Sequence, residues 1–147
     1  MYIAKNIHTI HEEFGVQNAK GEVELCLPVH LHIDDILKQY NQLRTLLGNA
    51  QTDLQNAPDD ETKLVAFGAV VVELMKLIFG PEGTEKLLSY YEDRPMDVLQ
   101  DVAPFLVEVI HPQMQAAMQA RVESYNRAAA KLSNSTKSFN KRIKRAK

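Results

Sequence analysis

The chain has 147 residues, 45% hydrophobic and 24% charged, with a single cysteine, which is the composition of an ordinary globular domain able to bury a core. One thiol, Cys26, excludes an intramolecular disulfide framework and gives no sign of an oxidising compartment. The formal net charge of -2 conceals an asymmetry: from Ser124 to Lys147 there are eight basic and no acidic residues, leaving a net of -10 to residues 1–123.

The N-terminal MYIAKNIHTIHEEFG lacks the apolar run of a signal peptide. By inspection no stretch approaches the roughly 18 consecutive apolar residues of a bilayer span, so the expectation is a cytosolic chain with no membrane partner. Two stretches read as strands, Tyr2 to Ile10 and Glu22 to Ile33. The second contains VELCLPVHLH, in which apolar Val23, Leu25, Leu27, Val29 and Leu31 alternate with Glu24, Cys26, Pro28, His30 and His32. Such alternation marks a half-buried strand. Between the two, HEEFGVQNAKG reads as the long loop of a hairpin. Pro28 cannot donate to a ladder and belongs on an edge or at a bulge. A lone hairpin is marginal in water, so it must pack on helices or pair with another chain.

Helical patterns follow. Asp34 or Asp35 can cap a first helix whose stripe is Ile36, Tyr40, Leu43, Leu47, Ala50 and Leu54. NAPDD, at 56–60, ends it and caps a second, which runs to about Phe79 with Leu64, Phe67, Val71, Leu74, Met75 and Ile78 on one face. Gly80-Pro81 stops that helix, and Thr84 caps a short one, EKLLSYYE. Asp93-Arg94-Pro95 opens another, with Met96, Leu99, Val102, Leu106, Val109 and Ile110 inward and a kink or break expected near Pro104. A last helix begins near Pro112 and carries Met114, Ala117, Met118, Val122, Tyr125 and Leu132. Past Leu132 the pattern fades into a basic, flexible tail. The fold expected is mainly α (α+β): a β-hairpin at 1–33 packed on four to six helices at 34–133, with a tail at 134–147.

For chemistry, the sharpest pattern is His30 and His32 on one strand face with Cys26. Two imidazoles at i and i+2 can share a metal, yet a competent site needs at least three ligands and an outer shell that orients them. His8 and His11 are the only other histidines near enough in sequence to consider. A solvated polar face is the favoured reading, and a metal-dependent enzyme at His30/His32 the least favoured. GPEG at 80–83 is a helix stop and start rather than a phosphate loop. No Ser or Cys has a nucleophile-elbow context, and Glu73 and Glu108 lack a readable acid partner. The expectation is a non-enzymatic chain with no cofactor and no metal.

The tail residues Lys137, Lys141, Arg142, Lys144 and Arg145 could neutralise phosphates, with Phe139 stacking on a base. That would make the chain a nucleic-acid-associated accessory protein, but no nucleic-acid-binding motif accompanies these residues, and a solubilising tail or an arm docking on an acidic protein are the plainer alternatives. Met-bearing helical faces suit another helix. That makes Phe67, Val71, Met75, Tyr90, Tyr91, Met114 and Met118 candidates for partner binding, with a plain core role as the competing reading.

The stretch from Phe67 to Pro112, with its apolar helix ending in IFG, then EGTEKLLSYYED, then MDVLQDVAPF, resembles the tail assembly chaperones of long-tailed phages and prophages of Gram-positive bacteria. The likeness covers about a third of the chain and contains no catalytic signature. It implies a mostly helical, self-associating protein of the host bacterial cytoplasm, with the tape-measure protein as client and the tail-tube protein as a second partner.

Overall fold

A computed structural model describes residues 1–4 and 8–146, the side chains of 135–146 excepted. The backbone is 72% helical with one two-stranded antiparallel sheet. It forms two compact units, Met1–Gln113 and Met114–Lys147.

Strands β1 (Thr9–Gln17) and β2 (Val23–His32) pair with Ile10 opposite Leu31, His11 opposite His30 and Phe14 opposite Leu27. Period-two patterning sorts β2 as the sequence predicts: Leu27, Val29 and Leu31 are buried, while Cys26, Pro28, His30 and His32 are exposed. The position of β1 differs from expectation. It is built from TIHEEFGVQ, most of which reads as loop, whereas Tyr2 and Ile3 stand exposed. Only Ile10 and Phe14 need face inward on this strand, so its alternation is diluted by charged neighbours on the open face. The turn is correspondingly short. The Asn18 side-chain oxygen accepts from the amides of Lys20 and Glu22, at 2.9 and 3.0 Å, and Gly21 supplies the positive φ of 82°.

Helix α1 (Ile33–Asn56) starts directly from β2, with extended His32 at the cap position and no side-chain cap bond. Asp34 and Asp35 therefore sit in the first turn, where their charge favours the positive end of the helix dipole, rather than at the cap. Ile36 and Tyr40 are buried and the stripe thins towards Leu54, which is half-buried. Asp60 caps α2 (Glu61–Tyr90) as expected, accepting from the amides of Thr62 at 2.9 Å and Lys63 at 3.4 Å. Along α2, Phe67, Val71, Leu74, Met75 and Ile78 are all buried, which makes it the central helix, packed on α1 and β2. By length and composition alone α2 could cross a membrane, which inspection for an unbroken apolar run overlooks because Glu73 and Lys76 interrupt it. Its inward face is spent on this core.

Gly80 turns the chain inside α2, at φ 75° and ψ 169°, and Pro81 restarts the helix. Pro is suited to that first position because its missing N–H has no helical acceptor there in any case. Thr84, expected as a cap, is instead buried one turn inside, its hydroxyl donating to the Gly80 carbonyl at 2.8 Å. Glu92 and Asp93 both adopt positive φ, of 55° and 58°, to make the tight connection to α3 (Pro95–Phe105).

No break occurs at Pro104. The chain passes from α3 into a π turn, Leu106–Ile110, and on into α4 (His111–Ala146) without interruption. Counted this way the described residues hold three helices, α1, α2 with its turn at Gly80, and the run from α3 through α4, instead of four to six. The π turn has a packing consequence. Val98, Val102, Leu106 and Ile110 are buried at a strict spacing of four, and Val98 was not among the inward residues expected. In an α-helix each such step drifts by about 40° around the axis. The wider π turn offsets that drift and returns Ile110 to the buried side.

Three aromatic rings tie the hairpin to the helices. Phe14 of β1 lies 5.8 Å from Phe79 of α2 and 5.3 Å from Phe105 of α3, centroid to centroid. Those distances and tilted planes suit the ring quadrupoles, and the rings bring distant segments of the chain together.

Candidate functional site

The open face of the hairpin gathers three of the chain's five imidazoles. His11 Nδ1 and His30 Nδ1 are 2.8 Å apart in a hydrogen bond, and the His30 and His32 rings are 5.4 Å apart, edge to face. Cys26 points its thiol at Glu13 Oε2, 3.9 Å away on the same face. His11, not His8, is the cross-strand partner, because the register sets it opposite His30. His8 instead offers its carbonyl to the Ile33 amide at 2.9 Å. Among the described residues no three His, Cys, Asp or Glu side chains converge as a metal site.

The candidate partner-binding residues separate by burial. Phe67, Val71 and Met75 are core, at 5%, 0% and 1% exposure, so they hold the fold and offer no surface. Met114 is buried and Met118 half-buried within α4. Tyr90 is exposed and donates to Glu24 Oε2 at 2.6 Å, linking α2 to β2. Tyr91 donates to Asp101 Oδ2 at 2.7 Å, linking α2 to α3. Lys137, Lys141, Arg142, Lys144 and Arg145 lie on the helical backbone of α4, but their side chains fall outside the described residues.

The Tyr91 hydroxyl is raised above its ordinary value, first by burial, then by its hydrogen bond to Asp101 and the nearby carboxylate charges. A raised value means the native state favours the neutral phenol. Its contribution is complete below pH 10, the unfolded value, and is lost progressively as the pH climbs from there towards the native one. Urea midpoints measured from pH 8 to 11.5 should fall more steeply above pH 10 for the native chain than for Tyr91→Phe. Parallel curves would remove Tyr91 from that dependence.

Exposed apolar side chains of α2 lie on another face, while Val122, Tyr125 and Leu132 are exposed along α4. Leu64, Val65, Val72 and Met96 wall a groove of about 450 Å³ between α2 and α3, floored by the small residues Gly68 and Ala69. Pro95, the first residue of α3, closes over Gly68: a Cβ at this position would meet its ring at 3.7 Å, an ordinary van der Waals contact. Leu64 is 44% and Val65 71% exposed, although Leu64 belongs to the stripe expected to face inward. Sequence reasoning missed the groove because its walls come from two helices. From sequence Val65 and Val72 read as widening the inward face of this helix, whereas Val65 is turned to solvent and both line the groove.

No protein-family model, curated protein or solved structure matches the chain.

Proposed function

We propose that the protein is a non-enzymatic tail assembly chaperone that holds an amphipathic helix of the tape-measure protein in the α2–α3 groove. The observation that carries this reading is the groove itself, a continuous apolar surface two helical turns long with Gly68 and Ala69 as its floor. Small floor residues let a partner helix approach closely, and apolar walls supply contact without directional chemistry. The resemblance over Phe67–Pro112 supplies the client's identity, with recruitment of tail-tube subunits, self-association and a host-cytoplasm setting as parts of the same proposal.

Co-expression with a tape-measure fragment tests it. The fragment should become soluble and co-purify with the native chain. Val65→Asp, on an exposed position, should leave folding within about 0.5 kcal/mol of native and reduce capture at least tenfold. A fragment that stays equally insoluble with no complex formed would end the chaperone reading. Equal capture by Val65→Asp would move the contact away from this groove.

A further inference from the structure

A second cavity, of about 270 Å³, opens between α1, α2 and the α3–π segment. Buried Leu74, Leu106 and Tyr40 and half-buried Leu47 and Leu99 line it, and Arg44, the exposed cation among its lining residues, stands at its rim. Its bulk is apolar and its polar groups are confined to one place. There the Tyr40 hydroxyl and His111 Nδ1 share a hydrogen bond of 2.7 Å and so satisfy one another. Arg44 is different: among the described residues it forms no ion pair and no hydrogen bond. Its charge reaches the Tyr40 hydroxyl, opposing the upward push of burial on that phenol, which places the guanidinium field at the polar end of the cavity. The π turn that forms part of the lining is a wider helical turn of the kind that often borders binding sites.

Size and chemistry together define an occupant. A sealed apolar cavity of about 150 Å³ takes one benzene ring, so this volume suits roughly eight to ten carbon atoms, too few for a helix. Apolar walls reward an aliphatic chain, and an unpartnered guanidinium at the rim rewards a carboxylate, which it can bind through two parallel N–H···O bonds. We infer that this cavity is a binding site for a medium-chain aliphatic carboxylate, its chain against Leu74, Leu99 and Leu106 and its head group on Arg44. Ala103 lines the same cavity and leaves the volume free. The site is separate from the α2–α3 groove and stands whether or not the chaperone reading does.

Titrating the full chain with sodium octanoate by calorimetry, in parallel with octan-1-ol, tests the assignment. Octanoate should saturate one site with a dissociation constant of about 0.1–1 mM, within what ten non-hydrogen atoms support. Octan-1-ol, lacking the charge, should bind about tenfold more weakly. Arg44→Gln, at an exposed position that leaves the core untouched, should weaken octanoate about tenfold, with Arg44→Lys recovering part of the loss. Ala103→Leu should abolish binding by filling the space, with circular dichroism confirming that the variant is folded. Equal binding of octanoate and octan-1-ol, or no effect of Arg44→Gln, would overturn the head-group assignment. Failure of octanoate to saturate, with an acidic Leu-rich helical peptide binding in an Arg44-dependent way instead, would overturn the small-ligand assignment in favour of a protein partner.

Discussion

Replacing Met75 by alanine should lower the free energy of unfolding by about 2–5 kcal/mol, the range for truncating a large buried side chain. Met75 is 1% exposed in the middle of α2, on the same inward face as Val71 at 0% and Ile78 at 2%, so truncation opens space that solvent does not reach. The cost has two parts, the lost transfer of the side chain from water and the cavity left behind. Val65→Ala, on the same helix but 71% exposed, should change stability by no more than about 0.5 kcal/mol. Urea denaturation of the two variants separates the inward from the outward face of α2. A Met75→Ala protein of native stability that had lost its capacity to hold a client would return Met75 to the docking surface and remove it from the core.

Replacing Gly80 by alanine should cost about 1–3 kcal/mol, although nothing lies within 4 Å of the Cβ it would add. The penalty comes from the backbone. At φ 75° and ψ 169° a side chain collides with its own peptide units, and only glycine occupies this region freely. The alternative open to the variant is to straighten the turn. That would move Pro81 and the whole segment carrying Thr84, Leu87 and Tyr91 off the core, and Leu87 is fully buried. Gly48→Ala supplies the contrast, since its Cβ also meets nothing, but its backbone is helical. That change should stabilise by up to about 1 kcal/mol, because alanine restricts the unfolded chain more than glycine does. If Gly80→Ala were neutral in thermal unfolding, the turn would not be imposing that conformation.

These expectations show where local patterning suffices. Asp60 sits where a cap belongs because its short carboxylate reaches amides two and three residues ahead, an interaction confined to one turn. The buried set of α2 is legible for a similar reason, since a spacing of three and four repeats around one helix regardless of what covers it. The groove was less legible. Leu64 shares that stripe yet is 44% exposed, because at the start of α2 the covering element is the first turn of α3, which leaves an open groove there. Position β1 was misplaced by about seven residues, since a strand inward at only two positions carries too little alternation to outweigh HEE in its middle. Pro104 predicts a kink or a break near it; the chain does not break, and the run instead widens into a π turn two residues on.

By itself the sequence determined that the chain past the hairpin is mainly helical, where Asp60 and Gly80 punctuate it, the alternating faces of β2, and the contrast between an acidic body and a basic end, but not that the segment past Leu132, expected as a flexible tail, is helical to Ala146. Each of these depends on residues a few positions apart, and each follows from dihedral preference, capping or period. The tertiary structure alone decided that His11 faces His30, that Phe14 meets Phe79 and Phe105, that Phe67, Val71 and Met75 are closed to partners, and that Tyr40 meets His111 from 71 residues away. Such meetings depend on which faces cover one another when the chain excludes water. No local pattern specifies that choice, because the same apolar stripe is satisfied by a neighbouring helix, a strand or another protein.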